Sequence, residues 1–113
     1  SNLNSSVSFL LTSDKNIKKL NYKYRKKNKP TNVLSFPMMM IYDNINLLGD
    51  IALASETLLN EASEQNISKY DYLSKMTIHG MLHLLGYDHK TSQQFKVMSR
   101  LENTIYKRVK SNK

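Results

Sequence analysis

All three histidines of the chain fall within the segment His79-Gly80-Met81-Leu82-His83-Leu84-Leu85-Gly86-Tyr87-Asp88-His89, and imidazoles grouped so closely are the material of a metal site. On an α-helix, His79 and His83 are separated by about 6 Å of rise and about 40° of rotation, so both rings share one face. A straight continuation of that helix would carry His89 about 15 Å from His79, out of reach of the same ion. The chain must therefore turn back, and Gly86 stands where the turn is needed, since glycine enters the left-handed C-cap conformation without a Cβ penalty. Three neutral imidazoles leave the fourth corner of a tetrahedral ion open to water, as in a catalytic zinc site and unlike a closed structural one. One core histidine with two solvated ones is the competing reading, and it is the weaker one for three rings with a glycine break.

The spacing H-x-x-x-H-x-x-G-x-x-H is shared with the metzincin peptidases, in which the residue after the first histidine is the glutamate that serves as general base. Here it is Gly80, which cannot move a proton. Either metal-activated water works unaided or another group is the base. Asp88 is a candidate for that role and equally for a second role, orienting a ligand imidazole.

The histidine segment closely resembles the metal motif of the YbeY family, bacterial endoribonucleases of ribosomal RNA maturation and ribosome quality control. Two further blocks share the resemblance. Tyr24-Arg25-Lys26-Lys27-Asn28-Lys29-Pro30-Thr31-Asn32-Val33-Leu34-Ser35-Phe36-Pro37 is similar to the family's second block, and Leu48-Gly49-Asp50-Ile51 to its third. Order and spacing run in parallel between Val7 and Ile105. The resemblance implies that His79, His83 and His89 bind one zinc ion per chain and that Arg25 is the functional arginine of the Tyr-Arg block. It also implies a single-stranded RNA substrate, an rRNA precursor, with the ribosome or its proteins as partners and neither DNA nor membrane. Family members usually carry a further strand and helix before the equivalent of Val7, and these are expected to be absent here. The serine at position 1 fits a processed or truncated product.

Lys and Arg number 17 against 9 Asp and Glu, a formal net charge of +8, which suits an anionic partner. A solubilising surface accounts for the charge equally well. The basic run interleaved with aromatics, Tyr22-Lys23-Tyr24-Arg25-Lys26-Lys27-Asn28-Lys29-Pro30, is suited to phosphate contact and base stacking, with Lys23, Lys26, Lys27 and Lys29 as candidate RNA contacts. Taken alone, it reads as readily as a solvated charge run. Cysteine is absent, so the metal must be held by nitrogen or oxygen and no disulfide forms. No apolar run approaches the roughly 20 residues that span a bilayer, and no signal-peptide pattern opens the chain, so a cytoplasmic location is expected.

The elements that must position these groups follow from periodicity. Residues 7–11 read as a strand, and Asp14 as the cap of a helix that turns Ile17, Leu20 and Tyr24 inward and delivers Arg25. A strand over 33–36, limited by Pro37, extends past a bulge over 38–41, where the consecutive methionines suit core or cleft lining. A turn over 42–46 leads to a strand over 47–53, making a hairpin. Within it, Gly49 marks a bulge or close backbone approach, and Asp50 is a turn acid more than a site residue. Ser55 is the expected cap of a helix with Leu58, Leu59 and Ala62 on its apolar side. A helix over 69–85 carries Tyr72, Leu73, Met76 and the first two histidines. Thr91 and Gln94 form a capping box for a last helix with Phe95, Met98, Leu101, Ile105 and Val109 as core. From Lys107 onward the chain is expected to fray into a basic tail.

At 113 residues the chain is expected to be a single domain, residues 1–113, loose before about residue 7 and after about residue 109. The fold class is α+β, a small mixed β-sheet packed against helices, with the metal site at the end of a central helix and a cleft between that helix and the Arg25 loop. The function the resemblance implies is that of a zinc-dependent endoribonuclease, in which metal-activated water or the ribose 2′-hydroxyl attacks and Arg25 covers phosphoryl charge. The rivals are a zinc peptidase-like hydrolase, opposed by Gly80 and the positive charge, and a non-catalytic ribosome assembly factor with a structural metal.

Overall fold

A computed structural model describes residues 4–111, apart from the side chain of Met39. The elements run β1 (Asn4–Thr12), α1 (Asp14–Arg25), β2 (Val33–Tyr42), β3 (Ile45–Ala54), α2 (Ser55–Glu64), α3 (Lys69–Leu84) and α4 (Ser92–Ser111). β3 is central in a three-stranded sheet of order β1-β3-β2, parallel to β1 and antiparallel to β2. The sheet is therefore mixed and the class α+β. Lys107 to Ser111, expected to fray, continue α4 as helix; Asn112 and Lys113 lie outside the described residues.

β2 and β3 are joined by a turn shorter than the sequence suggests. Asp43 and Asn44 both take positive φ, 50° and 63°, the two-residue turn whose twist matches that of the flanking strands. The β2–β3 register breaks between Pro37 and Met40, where proline has no N–H to give the ladder. Gly49 sits opposite Pro37 with φ +144°, and a Cβ there would stand 2.3 Å from the Phe36 carbonyl oxygen and 2.9 Å from Leu84 Cδ2. The position is thus closed to any side chain.

Strand alternation separates two cores. Leu34, Ala52 and Ala54 pack with Ile17 of α1, joined by Leu20 and Phe36. Ile51 and Leu53 point the other way and pack with Leu58 and Ala62 of α2 and Tyr72 and Leu84 of α3. α1 therefore covers one face of the sheet, and α2 and α3 the other. α4 packs on α3, not on the sheet, through Met98, Leu101 and Ile105 against Ile78 and Leu82. Several expected core residues have no wall to pack on. Leu59, Phe95 and Val109 are exposed, as are Met38 and Met40, and Tyr24 keeps only an edge-on contact with Phe36. Phe95 precedes the stretch of α4 that meets α3, and Val109 follows it, so both extend the stripe beyond its partner.

Helix starts are shared between elements. The cap of α1 is Ser13, whose side chain accepts from the Asn16 N–H, not Asp14. Asp14 Oδ1 instead accepts from the Thr57 N–H and hydroxyl at 3.2 and 2.7 Å, while the Asp14 N–H donates to Glu56 Oε1 at 2.9 Å. Nor does Ser55 cap α2: its hydroxyl donates to the Thr12 carbonyl, and the cap position is Ala54, without a side-chain bond. The carboxylates of Asp14 and Glu56 thus satisfy each other's helix N-termini, which local capping would have left to Ser55. Thr91 and Gln94 form the expected reciprocal box, both bonds being 3.1 Å.

The junction of β2 with α2 and α3 is a partly buried polar network. Tyr72 donates to Glu61 Oε1 at 2.9 Å, and Asn32 Nδ2 donates to the same oxygen at 3.1 Å. Burial, followed by the bond to Glu61, pushes the Tyr72 hydroxyl up to about 12 from 10.0. In that interval the unfolded chain has lost a proton that the folded chain keeps, so folding stability falls as pH rises through it. Tyr72→Phe is expected to flatten this alkaline loss relative to wild type, as measured by denaturant unfolding on either side of the interval.

Candidate metal centre

The helix that carries the first two histidines is seated by the glycine between them. A Cβ at Gly80 would lie 3.1 Å from Ile51 Cγ2 and from Val33 Cγ1, so position 80 faces the sheet at close range. The Ser35 hydroxyl donates to the Gly80 carbonyl at 2.9 Å, fixing the same turn of α3 to β2. Glycine after His79 is therefore favoured by packing, and a glutamate there would point toward the sheet and away from the histidines.

α3 ends as the sequence predicts. Gly86 has φ +99°, the Gly86 N–H donates to the His83 carbonyl at 3.0 Å, and the Tyr87 N–H to that of Leu82 at 3.0 Å. This pair of bonds is the Schellman arrangement. It reverses the chain and returns His89 to the first two rings, with centroids 5.4 Å from His79 and 5.1 Å from His83. One nitrogen from each of the three imidazoles lies within 4.8 Å of the others, and the Nε2 atoms of His79 and His83 are 3.1 Å apart.

Two observations show that these residues suit a metal ion. Glu102 Oε1 on α4 lies 2.5 Å from His79 Nδ1, so with the proton on Nδ1 the ring donates to the carboxylate and presents the Nε2 lone pair to the cluster. Burial first, and then the neighbouring His79 and His89, lower the pKa of His83, favouring the neutral ring that ligation requires. Asp88 meets the third histidine through its backbone and not through its ring. Its Oδ1 accepts from the His89 N–H at 2.8 Å, a bond that holds its carboxyl below the usual carboxylate range and fixes the backbone of the third histidine. The ring-orienting position belongs to Glu102.

The structure does not bring Arg25 to the histidines. Arg25 is the last residue of α1, on the opposite face of the sheet from α3, and it lines a cavity of about 750 Å³ with Tyr24, Leu20, Phe36, Asp50 and Ser8. None of the histidines lines that cavity, so the expected single cleft is two sites across a sheet. Asp50, expected to be structural, stands on the cavity wall. Lys23 lies over the Tyr24 ring, 5.3 Å from its centroid, and Lys26, Lys27 and Lys29 are exposed on the following loop. The buried Asn21 pins that loop, its Nδ2 donating to the Lys29 carbonyl at 2.9 Å.

Glu102, Ser35 and Asn21 were missed by sequence reasoning. Only Glu102 left a signal: it falls four residues after Met98, a carboxylate on the apolar stripe of α4.

Comparison with known proteins decides the family. The sequence model described as Endoribonuclease YbeY matches residues 1–110. The chain belongs to the YbeY endoribonuclease family. It is 44% identical over 108 residues to the Endoribonuclease YbeY of Bartonella bacilliformis, covering 93% of this chain and 68% of the relative. It is 51% identical over 90 residues to that of Buchnera aphidicola, covering 79% of this chain and 58% of the relative. A solution structure from Thermotoga maritima superposes with a TM-score of 0.56 at 31% identity, covering 94% of this chain and 71% of that one. Membership in YbeY places the chain among the nuclease hydrolases.

Removing the carboxylate in Glu102→Ala is expected to leave the fold intact and weaken metal affinity by about 10- to 100-fold, as measured by competition with a chromophoric chelator. Gly80→Ala is expected to lower the melting temperature, because Ile51 and Val33 must both yield.

Proposed function

We propose that the chain is a zinc-dependent, single-strand-specific endoribonuclease of the cytoplasm that acts on rRNA precursors in ribosome maturation and quality control. The observation that carries this reading is the three-imidazole cluster in a member of an endoribonuclease family. His79, His83 and His89 would hold the ion, with Glu102 orienting the first ring and the Asp88 carboxylate fixing the backbone of the third. When bound, zinc lowers the pKa of water to about 7 and polarises a phosphoryl oxygen. Neither Gly80 nor Asp88 is placed as a strong general base, which leaves proton removal to the ion's acidity and to the scissile phosphate's surroundings.

Arg25 contributes a guanidinium fork that matches phosphate oxygens and stays charged at any working pH. Since α1 and α3 lie against opposite faces of the sheet, this arginine is proposed to grip the RNA backbone in its cavity, at a distance from the scissile bond. The net charge of +8 supports a polyanionic substrate.

Cleavage of single-stranded RNA, duplex RNA and casein by the purified protein tests the reading, with and without zinc after chelation. Cutting of single-stranded RNA alone, lost on chelation and in His83→Ala, is expected; casein hydrolysis, or RNA cleavage indifferent to both treatments, would contradict it. Arg25→Lys is expected to lower kcat/KM, chiefly through KM, with zinc content unchanged. A fall confined to kcat would instead put the arginine at the scissile phosphate.

A further inference from the structure

The outer side of α1 bounds a second groove, of about 350 Å³, lined by Lys15, Lys18, Lys19, Tyr22 and Asn28. It belongs to neither the histidine cluster nor the Arg25 cavity. Helical periodicity builds one wall. Ile17 and Asn21 turn inward and are buried, which leaves Lys15, the Lys18–Lys19 pair and Tyr22 in successive tiers at axial steps of about 5 Å. The other wall is the loop after α1. Lys26 takes the left-handed conformation with φ 58°, the chain doubles back, and Asn21 holds it through the Lys29 carbonyl at 2.9 Å, bringing Asn28 to the groove. No acidic side chain lines it, and Tyr22 keeps 55% of its surface exposed.

We propose that this groove is a binding station for single-stranded RNA, in which the three lysines hold backbone phosphates and Tyr22 stacks a base. The proposal rests on the endoribonuclease reading and extends it to a surface away from the reaction. The chemistry is that of sequence-tolerant strand binding: ammonium point charges for phosphates and an exposed aromatic face for whichever base arrives. An acidic polypeptide would satisfy the lysines but gives no use to Tyr22 among them. The groove and the Arg25 cavity are lined by different residues of α1, with Arg25 about two turns of helix beyond the lysine tiers.

Binding of labelled single-stranded RNA to the full chain, kept metal-free so that nothing is cut, tests this over a salt series. Four variants are compared: the Lys15→Gln, Lys18→Gln, Lys19→Gln triple; Tyr22→Ala; Tyr22→Phe; and a control of equal charge loss on α4, the Lys96→Gln, Lys107→Gln, Lys110→Gln triple. All six lysines are exposed, and matching melting temperatures verify folding. The groove triple is expected to lose at least about tenfold in affinity at low salt, with the slope of log affinity against log salt shallower by about 2, near 0.7 for each phosphate contact removed. Tyr22→Ala is expected to lose on the order of tenfold, and Tyr22→Phe to retain affinity.

A groove triple with the wild-type slope, or a control triple that loses as much, overturns the proposal. So does an indifferent Tyr22→Ala combined with displacement of RNA by polyglutamate at matched charge, which would mark a site for acidic polypeptides. If wild-type protein neither binds nor cuts single-stranded RNA, the endoribonuclease reading itself fails. If it does both and the groove variants are indifferent, the groove alone fails.

Discussion

Helix α3 lies so close to the sheet that a Cβ at position 80 would meet Ile51 and Val33 at 3.1 Å, and the arrangement of the metal centre depends on that seat. With Gly80 against β2 and β3, and Ser35 bonded to its carbonyl, the rotation of α3 is fixed. His79 and His83 must then emerge on the side where α4 passes, within reach of Glu102. The same seat brings Leu84 over Gly49, so the one of these two glycines that tolerates no side chain marks where the helix end meets the β2–β3 bulge. Substitution at either position would displace the helix end from which the third histidine returns.

The features readable in the sequence are those governed by short-range geometry. Two histidines four apart, a glycine that ends their helix and a third histidine three residues later define the cluster almost by themselves, because helical periodicity and the Schellman cap are local. The Thr91–Gln94 box was readable for the same reason, and so was the hairpin. What was not readable depends on tertiary partners. Ser13 and Asp14 can each cap α1. The choice is made by Thr57 and Glu56, which lie more than 40 residues away along the chain, at separations of 43 and 42. The apolar stripes of α2 and α4 gave the right helices but overstated the core, because a stripe is buried only along the length of its partner.

The sheet also separates what the motifs suggested should meet. Arg25 and the histidines belong to blocks that invite a single cleft, but alternation along β2 and β3 sends Leu34 and Ala52 toward α1, and Ile51 and Leu53 toward α3. An arginine at the end of α1 therefore faces a different compartment from the rings on α3. Under the proposed function, the histidine cluster would be the place of reaction, and α1, with its cavity and its outer lysines, the place of substrate holding. Gly80 fits the same division: the position that bears a glutamate base in metzincin peptidases is here occupied by packing against the sheet.

The central claim is that three imidazoles, two from α3 and one returned by the turn at Gly86, act as a single ligand set. The most direct measurement is a zinc titration of the metal-free protein followed through the histidine ring resonances by nuclear magnetic resonance. Saturation at one equivalent of zinc, with the rings of His79, His83 and His89 shifting together along a single binding curve, is the predicted result. A His89 ring that does not respond while the other two saturate, or a stoichiometry other than one, would contradict the account.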